Sequence, residues 1–261
     1  MSQSLPSAHP YTEIAALYDL EHNRFRDDLD LIHYIVETVG DPVLELGCGT
    51  GRVLAHLADL EMRLTGIDNS PSMLERARAR LDGVADVRLV ESEMSTTGLP
   101  DETFGVVLLA LNTLMHASTL DEQRRVLAEA FRVLDPRGQL FIDLPNPLSG
   151  AIDFVDHQVV LEGNWDNEPA GRPVSKFSSR VIQRAEQVIQ TNVWYDISGE
   201  VGQLGRIHTR FDLRYVYPVE LLLMLELAGF VEPKLYGTYE LDPFSDSSPR
   251  LIATAEKTHS S

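Results

Sequence analysis

The chain has 261 residues, 43% of them apolar, a formal net charge of −18 and a single cysteine, Cys48. That size and apolar content support one large domain, or one domain with a sizeable insertion, around a real core. The acidic balance argues against sequence-independent binding to nucleic acid, which needs Lys and Arg against phosphates. One cysteine excludes an internal disulfide and fits a reducing compartment.

Residues 1–10 carry Ser, Pro and His and read as a loose end, with neither the basic nor the apolar region of a secretory signal. The longest apolar runs, such as 104–111, are too short to span a bilayer, so a soluble, cytoplasmic protein is expected. Ile32, Ile35, Val36 and Val39 recur at helical spacing and predict a helix over 27–39, stopped by Asp41-Pro42. Val43–Leu46 is short and apolar, a buried strand. A helix over 52–60 and a second strand over 63–67 follow. Ser70-Pro71 reads as an N-cap with proline at the first helical position, opening a helix to about Leu81. Strands are expected at 87–90 and 104–111. Thr119 with Glu122 forms a capping box for a helix whose face carries Leu127, Ala130, Phe131 and Leu134. Asp135-Pro136-Arg137-Gly138 is expected to end it, before a fifth strand over 139–143.

Strands alternating with helices at this spacing predict βαβ units and a parallel sheet covered on both faces. The pattern breaks at "PNPLSGA" (145–151). From about 157 to 217 the chain alternates with period two: Ile189, Thr191, Val193, Tyr195 and Ile197 share one face, as do Ile207, Thr209, Phe211, Leu213 and Tyr215, with Arg206, His208, Arg210 and Arg214 opposite. These predict antiparallel strands with one wetted face. Pro218 opens a further helix, and two last strands fall near 231–237 and 251–256.

The stretch "VLELGCGTGRV" (43–53) places three glycines in five positions directly after the first strand. Glycines let a backbone turn sharply and approach a ligand closely, and in an open α/β sheet ligands bind at the carboxyl ends of the strands. The spacing Gly47-Cys48-Gly49-Thr50-Gly51 is neither the G-x-G-x-x-G of dinucleotide folds nor a P-loop. Two acids stand beside it. Glu45 precedes the turn, and Asp68 ends the second strand, where a carboxylate can accept both hydroxyls of a ribose. A pyrophosphate would be repelled there; a ligand carrying an ammonium and a sulfonium would not.

"VLELGCGTGRV", "GIDNSPSML" and "VLDPRGQLFIDL" together resemble the class I S-adenosylmethionine-dependent methyltransferases, over roughly 11–145 and 218–256. The resemblance implies an α/β fold: a Rossmann-like seven-stranded sheet of order 3-2-1-4-5-7-6, strand 7 antiparallel, with an antiparallel β insertion over the active site. It divides the chain into an N-terminal segment covering the cofactor (1–26), a cofactor-binding core (27–144 and 218–261) and a β-rich substrate lid (145–217).

Carried over residue by residue, the resemblance implies that Gly47, Cys48, Gly49 and Gly51 pack on the methionine part of S-adenosylmethionine, with Cys48 a small packing residue and not a nucleophile. Glu45 would orient the turn or take a water-mediated bond to the ammonium. Asp68 would hold the ribose, with Asn69 and Met73 flanking the adenine. Glu93, where the family usually has Asp, would accept from the adenine amino group beside Met94. Leu111 and Asn112 would floor the sulfonium, and Tyr11 and Tyr18 would close over the cofactor. Ordinary helix packing is the lesser alternative for Met73, and the two tyrosines, seven apart, equally suit a helix's core face.

Methyl transfer from a sulfonium is a direct displacement, so the protein mainly holds reacting atoms about 3–3.5 Å apart and excludes water. No triad is expected, and no metal: the histidines form no ligand motif. His116 is the candidate base for an acceptor that arrives protonated, or else a histidine bonded to loop backbone. Asp143 and Asn146 would orient the acceptor or cap the loop. The insertion resembles that of amino-sugar N-methyltransferases and glycine N-methyltransferase and suits a small acceptor enclosed from above. Trp165, Trp194, Tyr195, Arg206, His208 and Arg210 are candidates for its lining; the arginines equally suit a solvated face or a homodimer contact. Two other readings stay open: a non-catalytic S-adenosylmethionine-binding protein in regulation or assembly, and a nicotinamide-dependent oxidoreductase, whose G-x-G-x-x-G and Tyr-x-x-x-Lys are absent.

Overall fold

The computed structural model describes residues 10–150, 156–165, 171–199 and 203–258. The expected loose end, but for Pro10, and Ala151 of the breaker lie outside them. In chain order the elements are α1 (Ala15–His22), α2 (Leu29–Val39), β1 (Val43–Leu46), α3 (Arg52–Leu57), β2 (Leu64–Asp68), α4 (Pro71–Arg80), β3 (Val87–Glu91), β4 (Phe104–Leu109), α5 (Leu120–Val133), β5 (Leu134–Pro145), β6 (Val159–Trp165), β7 (Val174–Gln183), β8 (Val188–Ser198), β9 (Leu204–Arg214), α6 (Pro218–Ala228), β10 (Val231–Tyr236) and β11 (Arg250–Glu256).

Seven strands form one sheet in the order β3-β2-β1-β4-β5-β11-β10. The first five are parallel, and β11 runs antiparallel to both β5 and β10. This is the order 3-2-1-4-5-7-6 with strand 7 reversed. Strand periodicity splits the core in two. Leu44 and Leu46 of β1 face α5 and α6, packing with Leu127, Leu221 and Leu225. Val43 faces the other way, toward Ile32, Leu54 and Leu74 of α2, α3 and α4. Each fully buried leucine contributes about 1.5–3 kcal/mol over its exposed state.

Local signals set the helix starts. Ser70 Oγ accepts from Met73 N–H with Pro71 at the first helical position. Thr119 and Glu122 close the reciprocal capping box of α5; losing such a cap costs about 1 kcal/mol. The sequence expectation fails at the end of α5. Leu134 leaves the helix and begins β5, and Asp135-Pro136-Arg137-Gly138 lies within that strand, not before it. A register shift against β4 absorbs the irregular segment, and Arg137 N–H donates to Lys257 O at 2.6 Å.

The second sheet, β6-β7-β8-β9, is antiparallel throughout. Its inner face meets the N-terminal helix: Ile14 and Leu17 pack on Val174, Val193 and Tyr195. Thr209 Oγ1 donates to Pro10 O at 2.6 Å, fixing the chain's entry to β9. Arg214 departs from its expected place on a wetted face. It is buried, donating to Gln123 Oε1 and to Glu220 Oε1, each at 2.6 Å. No helix among the described residues is long and apolar enough to cross a membrane.

Candidate active site

The carboxyl ends of β1, β2 and β4 open on a cavity of about 880 Å³, with β9 and the N-terminal segment on its other side. The glycine turn forms its base. Gly47, Gly49 and Gly51 have φ of +69°, +53° and +76°, the left-handed region that side-chain-bearing residues avoid. A Cβ on Gly47 would collide with Thr113 Cγ2, and one on Gly51 would crowd Ala77 of α4 and Leu81 just past its end. A Cβ on Gly49 would meet nothing within 4 Å, and Gly49 lines the cavity.

Asp68, at the end of β2, ties the turn to the sheet. Its Oδ2 accepts from Gly49 N–H at 2.8 Å and its Oδ1 from Ser70 N–H at 2.9 Å. Glu45 lies behind the turn, 4% exposed, and its Oε2 has no hydrogen-bond partner among the described residues. Burial pushes its pKa up to about 8; Asp28 and Asp68 push the same way, and Arg52 opposes them. Asp19 of α1 reaches the turn from above. It accepts from Thr50 Oγ1 at 2.7 Å and from Arg80 and Arg76 of α4 at 2.8 and 2.6 Å.

Over the opposite wall sits an aromatic cluster. Tyr11 stacks on Phe211, ring centroids 5.9 Å apart, and meets Tyr18 edge-on at 5.8 Å. The Tyr11 hydroxyl lies 3.1 Å from His116 Nε2. Burial raises the Tyr11 pKa well above that of a free phenol, and Tyr18 and Asp68 add to it. Tyr11 therefore keeps its proton, and when the His116 ring carries its own proton on Nδ1 the phenol donates to Nε2.

Comparison with known proteins gives this geometry its family. A model described as "Methyltransferase domain" matches residues 43–138. The cypemycin N-terminal methyltransferase of a Streptomyces species is 28% identical over 97% of this chain and 98% of its own. The solved CcbJ methyltransferase from Streptomyces caelestis superposes with a TM-score of 0.81 at 26% identity, covering 96% of this chain and 98% of that one. The S-adenosylmethionine-bound CalS10, an amino pentose methyltransferase from Micromonospora echinaspora, shares the fold at TM-score 0.70 and 22% identity, covering 99% and 100%. The chain is a class I S-adenosylmethionine-dependent methyltransferase.

The residues of this methyltransferase suit its cofactor. A buried carboxyl with an unpartnered oxygen, a second carboxylate aligned by backbone N–H groups and a bare glycine beside open volume suit a cationic nucleoside. Among the described residues no group of three or more His, Cys, Asp or Glu is placed to hold a metal ion.

Of the cofactor candidates, Tyr11, Tyr18, Gly47, Gly49, Asp68, Asn69, Met73, Glu93, Met94 and Leu111 line the cavity. Asn69 Nδ2 donates to both Glu93 oxygens at 3.2 and 3.1 Å, joining two residues that the sequence assigned to the adenine. Cys48 is buried beneath the turn, and burial pushes its thiol pKa up, which suits packing. Asn112 does not line the cavity; its Oδ1 accepts from Arg250 at 2.8 Å.

Of the acceptor candidates, His116 and Arg210 line the cavity and the others do not. Asp143 is fully buried, bonded to Arg250 and Tyr239. Asn146 donates to the carbonyls of Asp246 and Ser248 at 2.9 and 2.8 Å and so pins the loop before β11. Tyr195 is 1% exposed within the core of the second sheet, and Trp165 packs against the same cluster. Trp194 stacks on Phe177 at 5.7 Å under the Arg206 guanidinium, which is itself held by Asp196 at 2.6 Å. Trp194 and Tyr195 are adjacent on β8, so their side chains point to opposite faces of the second sheet, and neither reaches the cavity.

Phe211, Thr113, Arg125 and Asp212 line the cavity unforeseen. Phe211 was legible only as one apolar residue of an alternating strand. The close approach of Thr113 to Gly47 is a contact across 66 residues that no local pattern carries.

Proposed function

We propose that the enzyme methylates an amine or hydroxyl of a small-molecule acceptor, held in the cavity between His116, Phe211 and the start of α5. When bound, S-adenosylmethionine supplies a methyl group already activated on a sulfonium. In this reading Glu45 and Asp68 favour the cofactor's positive charges, Asp68 takes the ribose hydroxyls, and Gly47 and Gly49 admit the methionine moiety. Tyr11 and Phe211 wall off water, and Arg125 and Arg210 meet polar groups of the acceptor. Residues 1–26 serve as the cofactor cover and 145–217 as the substrate lid. The whole-length similarity to a protein named as the cypemycin N-terminal methyltransferase supports an amine as the accepting group.

The observation that carries the reading is the Tyr11–His116 pair over the same cavity as the glycine turn. An acceptor that arrives as O–H or N–H must shed a proton. It passes to the Tyr11 oxygen as the phenol proton moves to His116 Nε2, leaving a neutral phenol and an imidazolium. A neutral imidazole suits this role near pH 7. The same reading places the enzyme in a reducing cytoplasm, in keeping with one buried free thiol, and allows a homodimer through the outer face of the second sheet, where Val159 and Leu161 are exposed.

The test is turnover with methyl-labelled S-adenosylmethionine and a small-molecule extract. Label should enter the low-mass fraction, and Tyr11→Phe and His116→Ala should each slow it by about 10²-fold or more at saturating cofactor. Label found only in protein or nucleic acid, or full activity in both variants, contradicts the proposal.

A further inference from the structure

We propose that Arg250, the first residue of β11, is a positioning residue for methyl transfer: through Asn112 it holds the left-handed corner that sets Leu111 and the turn bearing His116 against the cavity. The inference rests on the reading of Leu111 and His116 given above. Leu111 and Asn112 are consecutive, neither is glycine, and their φ angles are +43° and +67°. L-residues avoid this region because Cβ crowds the following carbonyl oxygen. Such residues persist where their surroundings over-determine them, and they collect at functional sites.

Backbone and side chain both hold this corner. Asn112 N–H donates to Asp143 O at 2.9 Å, and Met115 N–H donates to Asn112 O at 2.9 Å. Asn112 opens the 3-10 turn Thr113–His116 without capping it. Its Oδ1 accepts from Arg250 Nη2 at 2.8 Å instead. That guanidinium is fixed in turn. Its Nε donates to Asp143 Oδ1 at 2.8 Å, and Tyr239 Oη donates to Asp143 Oδ2 at 3.0 Å. The arginine side chain is 18% exposed and the aspartate 0%. Strand pairing sets Arg250 opposite Pro145 and Ile252 opposite Asp143, so the arginine reaches the corner from the sheet itself.

Arg250 does not line the cavity. Its effect reaches the reaction through one bond, to the residue between the cavity-lining Leu111 and Thr113. A planar guanidinium serves Asp143 and Asn112 together, whereas a lysine ammonium is a single point on a flexible stem. Arg250→Lys therefore keeps the charge beside Asp143 and loses the corner. Asn112→Gly removes the accepting oxygen while glycine accepts the left-handed backbone without strain.

The test is a double-mutant cycle on Arg250→Lys and Asn112→Gly. It is read by calorimetric binding of S-adenosylhomocysteine, by the His116 ring resonance in histidine-labelled protein, and by Tm. Each single variant should weaken binding by about threefold to tenfold and shift the His116 resonance. The double variant should be no worse than the weaker single, because both act through the same bond. Loss of Tm with binding and resonance unmoved, or losses that add in the double variant, overturns the proposal. If Arg250→Lys does not fold, Asn112→Gly decides alone: an unmoved resonance and affinity overturn it. Failure of the wild-type protein to bind S-adenosylhomocysteine would refute the functional reading instead, which keeps the two outcomes apart.

Discussion

Replacing Glu45 with glutamine should abolish a pH dependence of cofactor binding that the wild-type protein shows. Glu45 is buried, its Oε2 is unpartnered among the described residues, and burial pushes its pKa up to about 8 from an ordinary 4.5. At pH 7 the free protein therefore holds this carboxyl about 90% protonated. A cation bound at the turn favours the carboxylate, so binding expels a proton. Affinity should rise about tenfold per pH unit between pH 6 and 7 and level off above about 8. Full ionisation corresponds to at most about 5 kcal/mol at about 1.4 kcal/mol per unit.

The sign for folding runs the other way. Between pH 4.5 and about 8 the folded state holds a proton that the unfolded chain has lost, so stability is full below that window and declines as pH rises through it. Glu45→Gln keeps the shape and cannot ionise. It should bind with a flat profile, so that its deficit against wild type widens by about 90-fold between pH 6 and 9. Calorimetry in buffers of different ionisation enthalpy counts the released proton directly. An affinity flat from pH 6 to 9, with an enthalpy independent of buffer, would refute the reasoning.

Asp68→Ala should weaken S-adenosylmethionine binding by about 1–3 kcal/mol, through lost charge-assisted bonds to the ribose; unchanged calorimetric affinity would remove Asp68 from that role. Gly49→Ala should cost about 1 kcal/mol of stability from its positive φ. Its methyl enters open cavity, so binding should fall by about tenfold or more. Gly47→Ala should instead fall mainly in Tm, because the new methyl strikes Thr113 within the fold.

What could be read from the chain followed the range of each interaction. The first strand over 43–46, the Ser70 cap and the Thr119–Glu122 box are local, and the structure places them where the sequence did. The parallel sheet followed from the alternation of elements, and its strand order was implied by the resemblance in three motifs. The start of β5 was hidden because Pro136 and Gly138 usually punctuate, while here a register shift and a bond to Lys257 keep them in the strand. Arg214 looked wetted by alternation, but Gln123 and Glu220, on two other elements, satisfy it in the interior. The acceptor wall was the least legible part. Trp194 and Tyr195 adjoin in sequence and face opposite ways, and neither lines the cavity, whereas Phe211 does. Asn112 carried a family position, yet its partner is Arg250, 138 residues onward.

A crystal structure with S-adenosylhomocysteine bound tests the central claim most directly. The ribose hydroxyls should lie on Asp68, the amino acid portion along Gly47 and Gly49, and the sulfur above Leu111, facing Tyr11 and His116. A nucleoside bound away from the glycine turn, or one whose sulfur faces a wall closed to any acceptor, would contradict it.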